Sequence, residues 1–285
     1  MSPAVRVSLL LAVVLGLVAP ARAGEPQRIV STTPSVTETL FALGVGDRVV
    51  GVTTFCRYPE EARARPKIGG YSNPSLEAIL ALKPDLVVIG DAGTLTKRLA
   101  ALGVPTLEVR AEDLRSIEDA IRAIARRVGV PDRGEALVAC IAAQRAAVVR
   151  AVAGRPRPRT LLLLGHSADS LASLYAAGPR SFLGEMLEAA GGENVLAEVR
   201  TPYPRVSVEE VIGRDPDVIL SILSPPADAT DAAARARRLW SAYPSLKAVR
   251  AGAIRVVADD TIVQPGPRVG EKIAILARAL QGEKP

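Results

Sequence analysis

The chain is short of the residues that most chemistry is built from: one histidine, two cysteines, one tryptophan and only 3% aromatics in 285 residues. A single histidine, His166, excludes a metal centre assembled from several imidazoles, so no metal site and no resident cofactor is expected. Two cysteines exclude a disulfide-stapled scaffold. Cys140 falls inside a strong helical pattern and Cys56 in a loop distant in sequence, so they read as two separate small core residues, with a disulfide as the alternative. The isoelectric point near 9.6 invites a nucleic-acid reading. Scattered arginines, few aromatics and a net charge of only +6 argue against it. Walker-type phosphate loops and G-x-S-x-G nucleophile elbows are also missing, which speaks against an exported α/β enzyme. Gly44-Val-Gly46 follows a helix and is too short to be a dinucleotide loop.

Long apolar runs are confined to the start. Arg6 precedes Leu9 to Val18, and Ala21-Arg22-Ala23 has the small-x-small form of a cleavage site, so residues 1–23 read as a secretory signal peptide. A membrane-spanning helix needs about 20 apolar residues, and Pro20 breaks this run sooner. No cysteine follows it to carry a lipid. The remainder is expected to be exported to a periplasm and soluble there.

Beyond residue 23, short apolar strands alternate with helical stretches, the pattern of a βαβ sheet. Strands are expected at 28–31, 49–53, 86–89 and 106–109, then at 161–164, 218–221 and 254–257. Helices fall between them. Ser35 and Glu38 suggest a capping box closed by Gly44. The longest helical signal, Asp132 to Ala153, carries Leu137, Ile141, Gln144, Val148 and Ala151 on one stripe. Asp132 and Glu135 suggest its cap, and Gly154 its stop. About 22 residues at 1.5 Å each span roughly 33 Å, enough to brace two α/β halves. Arg155-Pro-Arg-Pro-Arg159 then reads as a stiff linker.

The halves share a repeat. Ser75-Leu-Glu77 and Pro84-Asp85-Leu-Val-Val88 align without gaps to Ser207-Val-Glu209 and Pro216-Asp217-Val-Ile-Leu220. A serine cap, a first-turn acid and a proline stop are ordinary helix chemistry in one copy. Two copies at equivalent places imply a partner with matching pseudo-symmetry.

The run Arg28-Ile-Val-Ser-Thr-Thr-Pro-Ser-Val-Thr-Glu-Thr-Leu40 resembles the substrate-binding proteins of bacterial ABC importers for cobalamin and for ferric siderophores or haem. So do Leu43-Gly-Val-Gly-Asp-Arg-Val-Val-Gly-Val52, Tyr58-Pro-Glu-Glu-Ala62, Lys67-Ile-Gly-Gly70, the S-x-E to P-D segment, and Gly191-Gly-Glu-Asn-Val195. Thr201-Pro-Tyr-Pro-Arg-Val-Ser-Val-Glu-Glu210 looks most like the cobalamin branch, although the tryptophans of that branch are missing around Tyr71, Asp91 and Tyr203. The resemblance implies an α/β fold of two Rossmann-like lobes with mainly parallel sheets, joined by one long helix, with the ligand between the lobes. It divides the chain into residues 24–130, an interlobe helix at 131–154, and 155–285. It implies a non-catalytic monomer that captures a corrinoid, or alternatively a ferric siderophore or haem. Glu77 and Glu209 would dock on arginines of the two permease subunits. An exposed first-turn carboxylate suits a bidentate arginine bond.

In open α/β sheets, ligands sit beyond the carboxyl ends of the strands. That places Thr33, Phe55, Tyr58, Tyr71, Asp91, His166, Tyr203 and Asp260 on loops that line the cleft. Tyrosine, with a flat apolar face and one hydroxyl, suits a large planar macrocycle. His166 is either a hydrogen-bonded loop residue or a ligand contact, and Arg268 is expected to meet an anionic group or to pair with Asp259 or Glu271.

Overall fold

The computed structural model describes residues 24–90, 93–164, 170–223 and 229–283. The expected signal peptide, Asp91 and His166 lie outside these residues.

The first half builds a four-stranded parallel sheet in the order β2-β1-β3-β4, from β1 (Ile29–Ser31), β2 (Val49–Gly51), β3 (Leu86–Ile89) and β4 (Thr106–Glu108). Its helices are α1 (Pro34–Ala42), α2 (Glu60–Arg63), α3 (Leu76–Ala81), α4 (Leu95–Ala101) and α5 (Leu114–Arg127). The sheet is covered on both faces, and the period of two along the strands sorts the side chains. Ile29, Leu86 and Val88 pack with α1 and the end of α5. Val30, Val87 and Ile89 pack with Ile79 and Leu99 of α3 and α4.

The long helix, α6, runs from Pro131 to Val152. Proline occupies its first turn, where the missing N–H costs nothing, and Gly154 ends it at φ +76°. The expected Asp132 and Glu135 cap is not made: Val130 precedes the helix with no side-chain cap, and Glu135 instead receives Arg122 Nε from α5 at 3.1 Å. The buried positions also differ from the single stripe. Gly134, Val138 and Ile141 are buried while Ala151 is exposed, because α5 and α11 flank the helix and widen its covered face.

The second half holds β5 (Arg159–Leu164), β6 (Leu174–Ala176), α7 (Phe182–Ala189), β7 (Glu193–Asn194), β8 (Arg205–Val206), α8 (Val208–Arg214) and β9 (Val218–Ile222). It closes with α9 (Ala229–Trp240), α10 (Lys247–Arg250), β10 (Ile254–Val257) and α11 (Val269–Gln281). Strands β10, β9 and β5 are parallel, whereas β6 and β8 continue the sheet antiparallel. The two halves are therefore not the same repeat throughout. β6 and β8 are three and two residues long, too short for a periodic signal.

The linker arginines are tied down rather than free. Arg155 donates to Gln281, Arg157 to Glu188 and the Gly192 carbonyl, and Arg159 to the Asp215 carbonyl.

Helix α5 joins the two halves more intimately than the linker does. Its end, Ile124, Ala125 and Val128, lies in the core of the first sheet. Its beginning, Leu114, Ile117 and Ile121, lies in one continuous core with α6, α7, α11 and the second sheet. Hydrogen bonds fasten the same point: Phe182 N–H donates to Glu112 O, and Leu114 N–H to a Glu185 carboxylate oxygen, each at 2.8 Å.

Candidate functional site

Two matched surface units come first, since the sequence repeat marks them. Ser75 caps α3 by accepting the Ala78 N–H at 3.2 Å, and Ser207 caps α8 by accepting the Glu210 N–H at 3.1 Å. Glu77 and Glu209 follow at the second helical position, both exposed. Each helix ends on a non-glycine residue in the left-handed region, Lys83 at φ 47° and Asp215 at φ 42°. Such residues persist where the surroundings compensate the strain. Here the compensation is duplicated. Arg28 donates to the Leu82 and Lys83 carbonyls, as Arg159 does to the Asp215 carbonyl. Asp85 then accepts the Gln27 and Arg28 N–H groups at 2.8 and 2.9 Å, and Asp217 accepts the Arg159 N–H at 3.0 Å. The P-D aspartates thus clamp each unit to the first strand of its own sheet, which gives Glu77 and Glu209 equivalent, rigid mounts. The Glu209 carboxylate is held below the usual range by its own backbone N–H and then by the Ser207 hydroxyl, so it stays ionised at neutral pH.

The second surface lies beyond the carboxyl ends of the parallel strands. Phe55, Tyr58 and Tyr71 are 48%, 49% and 53% exposed, a high value for aromatic rings in a chain that has so few. Phe55 and Tyr71 meet edge to face with centroids 5.5 Å apart. Beneath Phe55, the Cys56 thiol is buried among hydroxyls, 3.1 Å from Thr37 and 3.2 Å from Thr53, and Thr37 donates to Ser31 at 2.7 Å. This polar knot fixes the 53–56 loop on α1 and so holds the rings outward. Cys140 is exposed on α6 and both thiols are free, so only Cys56 is a core residue.

Across from these rings stands an ion pair the sequence did not reveal. Arg268, just before α11, donates to both oxygens of Glu38 on α1 at 3.0 and 2.9 Å, and its guanidinium lies 3.9 Å from the Tyr58 ring centroid. Glu38 is 2% exposed. The expected Ser35 and Glu38 capping box is therefore replaced: Glu38 is spent on Arg268, and Thr33 precedes α1 without capping it. Arg268 likewise pairs with neither Asp259 nor Glu271. A planar fork on a carboxylate is the strongest geometry for such a pair, and the Tyr58 face adds a cation–π contact. It locks the start of the last helix to the first lobe. One helical turn on, Lys272 is 1% exposed. Burial, outweighing the nearby Glu38 carboxylate, lowers its amine to about 8, and it donates to the Gln264 carbonyl at 2.6 Å.

Of the expected cleft residues, Phe55 and Tyr58 share a small pocket with Glu38, Arg57, Thr261 and Gln264, drawn from both lobes. A larger groove of about 410 Å³ continues from Tyr58 and Arg268 to Phe41 and to Leu137, Ile141 and Gln144 of α6. Tyr71 lines a separate pocket on the first lobe. Thr33 is half-buried and bonded to Ser35, packed where Gly90 lacks a side chain, so it shapes the strand end. Tyr203 is only partly exposed; burial, outweighing the lowering effect of a bond to Ser181, pushes its hydroxyl up to about 12, so it offers no ready phenolate. Asp260 begins a short 3₁₀ helix, Asp260–Val263, and its side chain lies outside what is described. Tyr175, absent from the expected set, is 49% exposed and pairs with Leu164 at the carboxyl end of β5. No group of three or more His, Cys, Asp or Glu among the described residues is placed to hold a metal ion, and no described helix is long and apolar enough to cross a membrane.

Two mainly parallel α/β lobes around a shared cleft, with a long helix beside them, define a class of extracytoplasmic binding proteins. The chain belongs to the periplasmic binding protein family, whose sequence profile matches residues 29–261. It is 34% identical over 265 residues to the cobalamin-binding protein of Halobacterium salinarum, spanning 90% of this chain and 69% of that one. It is 33% identical over 196 residues to the vitamin B12-binding protein of Salmonella typhimurium, 68% of this chain and 71% of that one. Among solved structures, the haem-binding protein RhuT from Roseiflexus superposes with a TM-score of 0.75 at 30% identity, covering 90% of this chain and 98% of that one. The vitamin B12-binding protein BtuF of Vibrio cholerae gives 0.75 at 25% identity, covering 90% and 97%.

Proposed function

We propose that this chain captures a corrinoid between its lobes and delivers it to an ABC importer, docking through Glu77 and Glu209. The observation that carries the reading is the cleft wall of Phe55, Tyr58 and Tyr71, three outward rings in a chain of few aromatics, in a relative of cobalamin-binding proteins. Flat, half-exposed rings suit a tetrapyrrole plane, whose apolar faces they cover on binding. The duplicated mounts support docking: two exposed acids, each clamped to its own lobe, fit a partner with two equivalent basic pockets. The chain acts by binding and release, without turnover, after export by its leader.

Haem or a ferric siderophore is the second reading. It is favoured by Tyr71, whose exposed phenol is the kind of oxygen donor ferric iron prefers, and by haem-binding structural relatives at comparable similarity.

Calorimetric titration of the purified chain with cyanocobalamin, haemin and a ferric siderophore separates these readings. Heat is the better readout because Trp240 is fully buried in the second lobe's core. One-to-one binding of cyanocobalamin alone is expected; binding of haemin or the siderophore alone moves the assignment to the second reading. For docking, Glu77→Ala with Glu209→Ala is expected to abolish uptake into vesicles bearing the importer while ligand affinity is unchanged. Uptake at the normal rate would remove the docking role.

A further inference from the structure

The pocket beside Tyr71 differs in chemistry from the rest of the cleft. It measures about 170 Å³ and lies between the 71–74 turn and the start of α4, with Thr32 at its floor. β1 and β3 are neighbours in the parallel sheet, so the segments that follow them, Thr32 and Gly93 to Leu95, open on the cleft side of the lobe. Among the described residues the lining carries hydroxyls and an amide from Tyr71, Ser72, Asn73 and Thr94, no acidic residue, and one cation, Arg98.

Arg98 also differs from the cations beside Tyr58 and Glu38. Arg268 is committed to Glu38 in two bonds. Lys272 is buried and donates to a carbonyl, and Arg57 has a partner. The Arg98 side chain is exposed and makes no hydrogen bond or ion pair among the described residues. The Thr94 hydroxyl at the head of the same helix caps nothing. A guanidinium with all five donors available, facing a concave polar lining with no competing carboxylate among the described residues, suits an oxyanion and disfavours a cation.

We infer that this pocket is an anion subsite, in which Arg98, assisted by the hydroxyls of Tyr71 and Thr94, binds a negatively charged group on the rim of the cleft ligand. The inference rests on the tetrapyrrole reading proposed above. It adds that the ligand is oriented by its charge as well as by its plane. A tetrapyrrole brings such a group from either of two sources, the phosphodiester of a nucleotide loop or a ring propionate.

The test is calorimetric titration of the intact protein and of Arg98→Ala, Arg98→Lys and Arg98→Glu against two pairs of ligands. Cyanocobalamin is paired with dicyanocobinamide, which lacks the phosphodiester, and haemin with its dimethyl ester, which lacks the free propionates. Removing a charge-assisted bond of this kind is expected to weaken the charged member about ten-fold in Arg98→Ala, and further in Arg98→Glu. Partial recovery is expected in Arg98→Lys, with the uncharged member bound as by the wild type. The pair that shows the difference names the source of the anion. Equal binding of every charged ligand by wild type and Arg98→Ala overturns the anion subsite while leaving the tetrapyrrole reading intact, as does equal weakening within a pair. If the wild type binds none of the four, the tetrapyrrole reading falls and the subsite with it.

Discussion

The two lobes carry the same mounting unit on unlike sheets. The first sheet is entirely parallel, while the second turns antiparallel at β6 and β8. Nevertheless Ser75, Glu77, Lys83 and Asp85 hold the same relations as Ser207, Glu209, Asp215 and Asp217, down to a left-handed residue at the same step. Sheet edges have diverged and the surface unit has not. That is the pattern expected where both copies must meet one symmetric partner while the cleft is free to adapt.

The largest break between the lobes should come from Glu38→Ala. It strands Arg268 without its carboxylate in a site that is largely buried, and loss of one partner of a buried pair costs about 3–5 kcal/mol. Urea unfolding should show a loss near the lower end, because Arg268 keeps some contact with water. Ala143→Pro cuts the hydrogen-bond ladder of α6 midway and should cost about 3 kcal/mol or more; uptake into vesicles should fall with it, because the spacing of Glu77 and Glu209 is disturbed. Comparing Asp85→Ala with Asp217→Ala sharpens the matched-mount argument. Each removes backbone hydrogen bonds that water can partly replace, at about 1 kcal/mol per bond. Asp85 should cost more, since it accepts two N–H groups where Asp217 accepts one from β5.

A further effect concerns pH. The unfolded chain keeps its Lys272 proton up to about 10.5, whereas the folded chain gives it up near 8. Unfolding therefore takes up a proton between these values, so this residue makes stability rise with pH across that window and opposes folding below it. Lys272→Met should flatten that rise and be no less stable than the wild type at pH 7, as read from urea midpoints at pH 7, 8.5 and 10.

Much of the architecture was legible because its signals are local. Leu86–Ile89 is apolar throughout and is buried at every position; the S-x-E and P-D repeat predicts two alike surfaces from spacing alone. Phe55, Tyr58 and Tyr71 were legible as loop residues, and the structure exposes all three rings. The misreadings share a cause. Glu38 looks like a capping acid because Ser35 stands three residues before it, and nothing local reports an arginine 230 positions away. Glu135 was assigned to a cap for the same reason, although Arg122 on the packed neighbour takes it. Tyr175 and Arg98 carried no motif; only the pocket and the strand register give them meaning.

The sequence alone determined the longer strands and helices, where the duplicated acids stand, and the length of the helix between the halves, because periodicity and proline stops act within a few residues. Only the tertiary structure decided how the halves are joined. The long helix is not their sole link: α5 enters both cores, and Arg268 reaches across to Glu38. Burial and charge pairing depend on residues distant in the chain, and the packed fold alone brings those together.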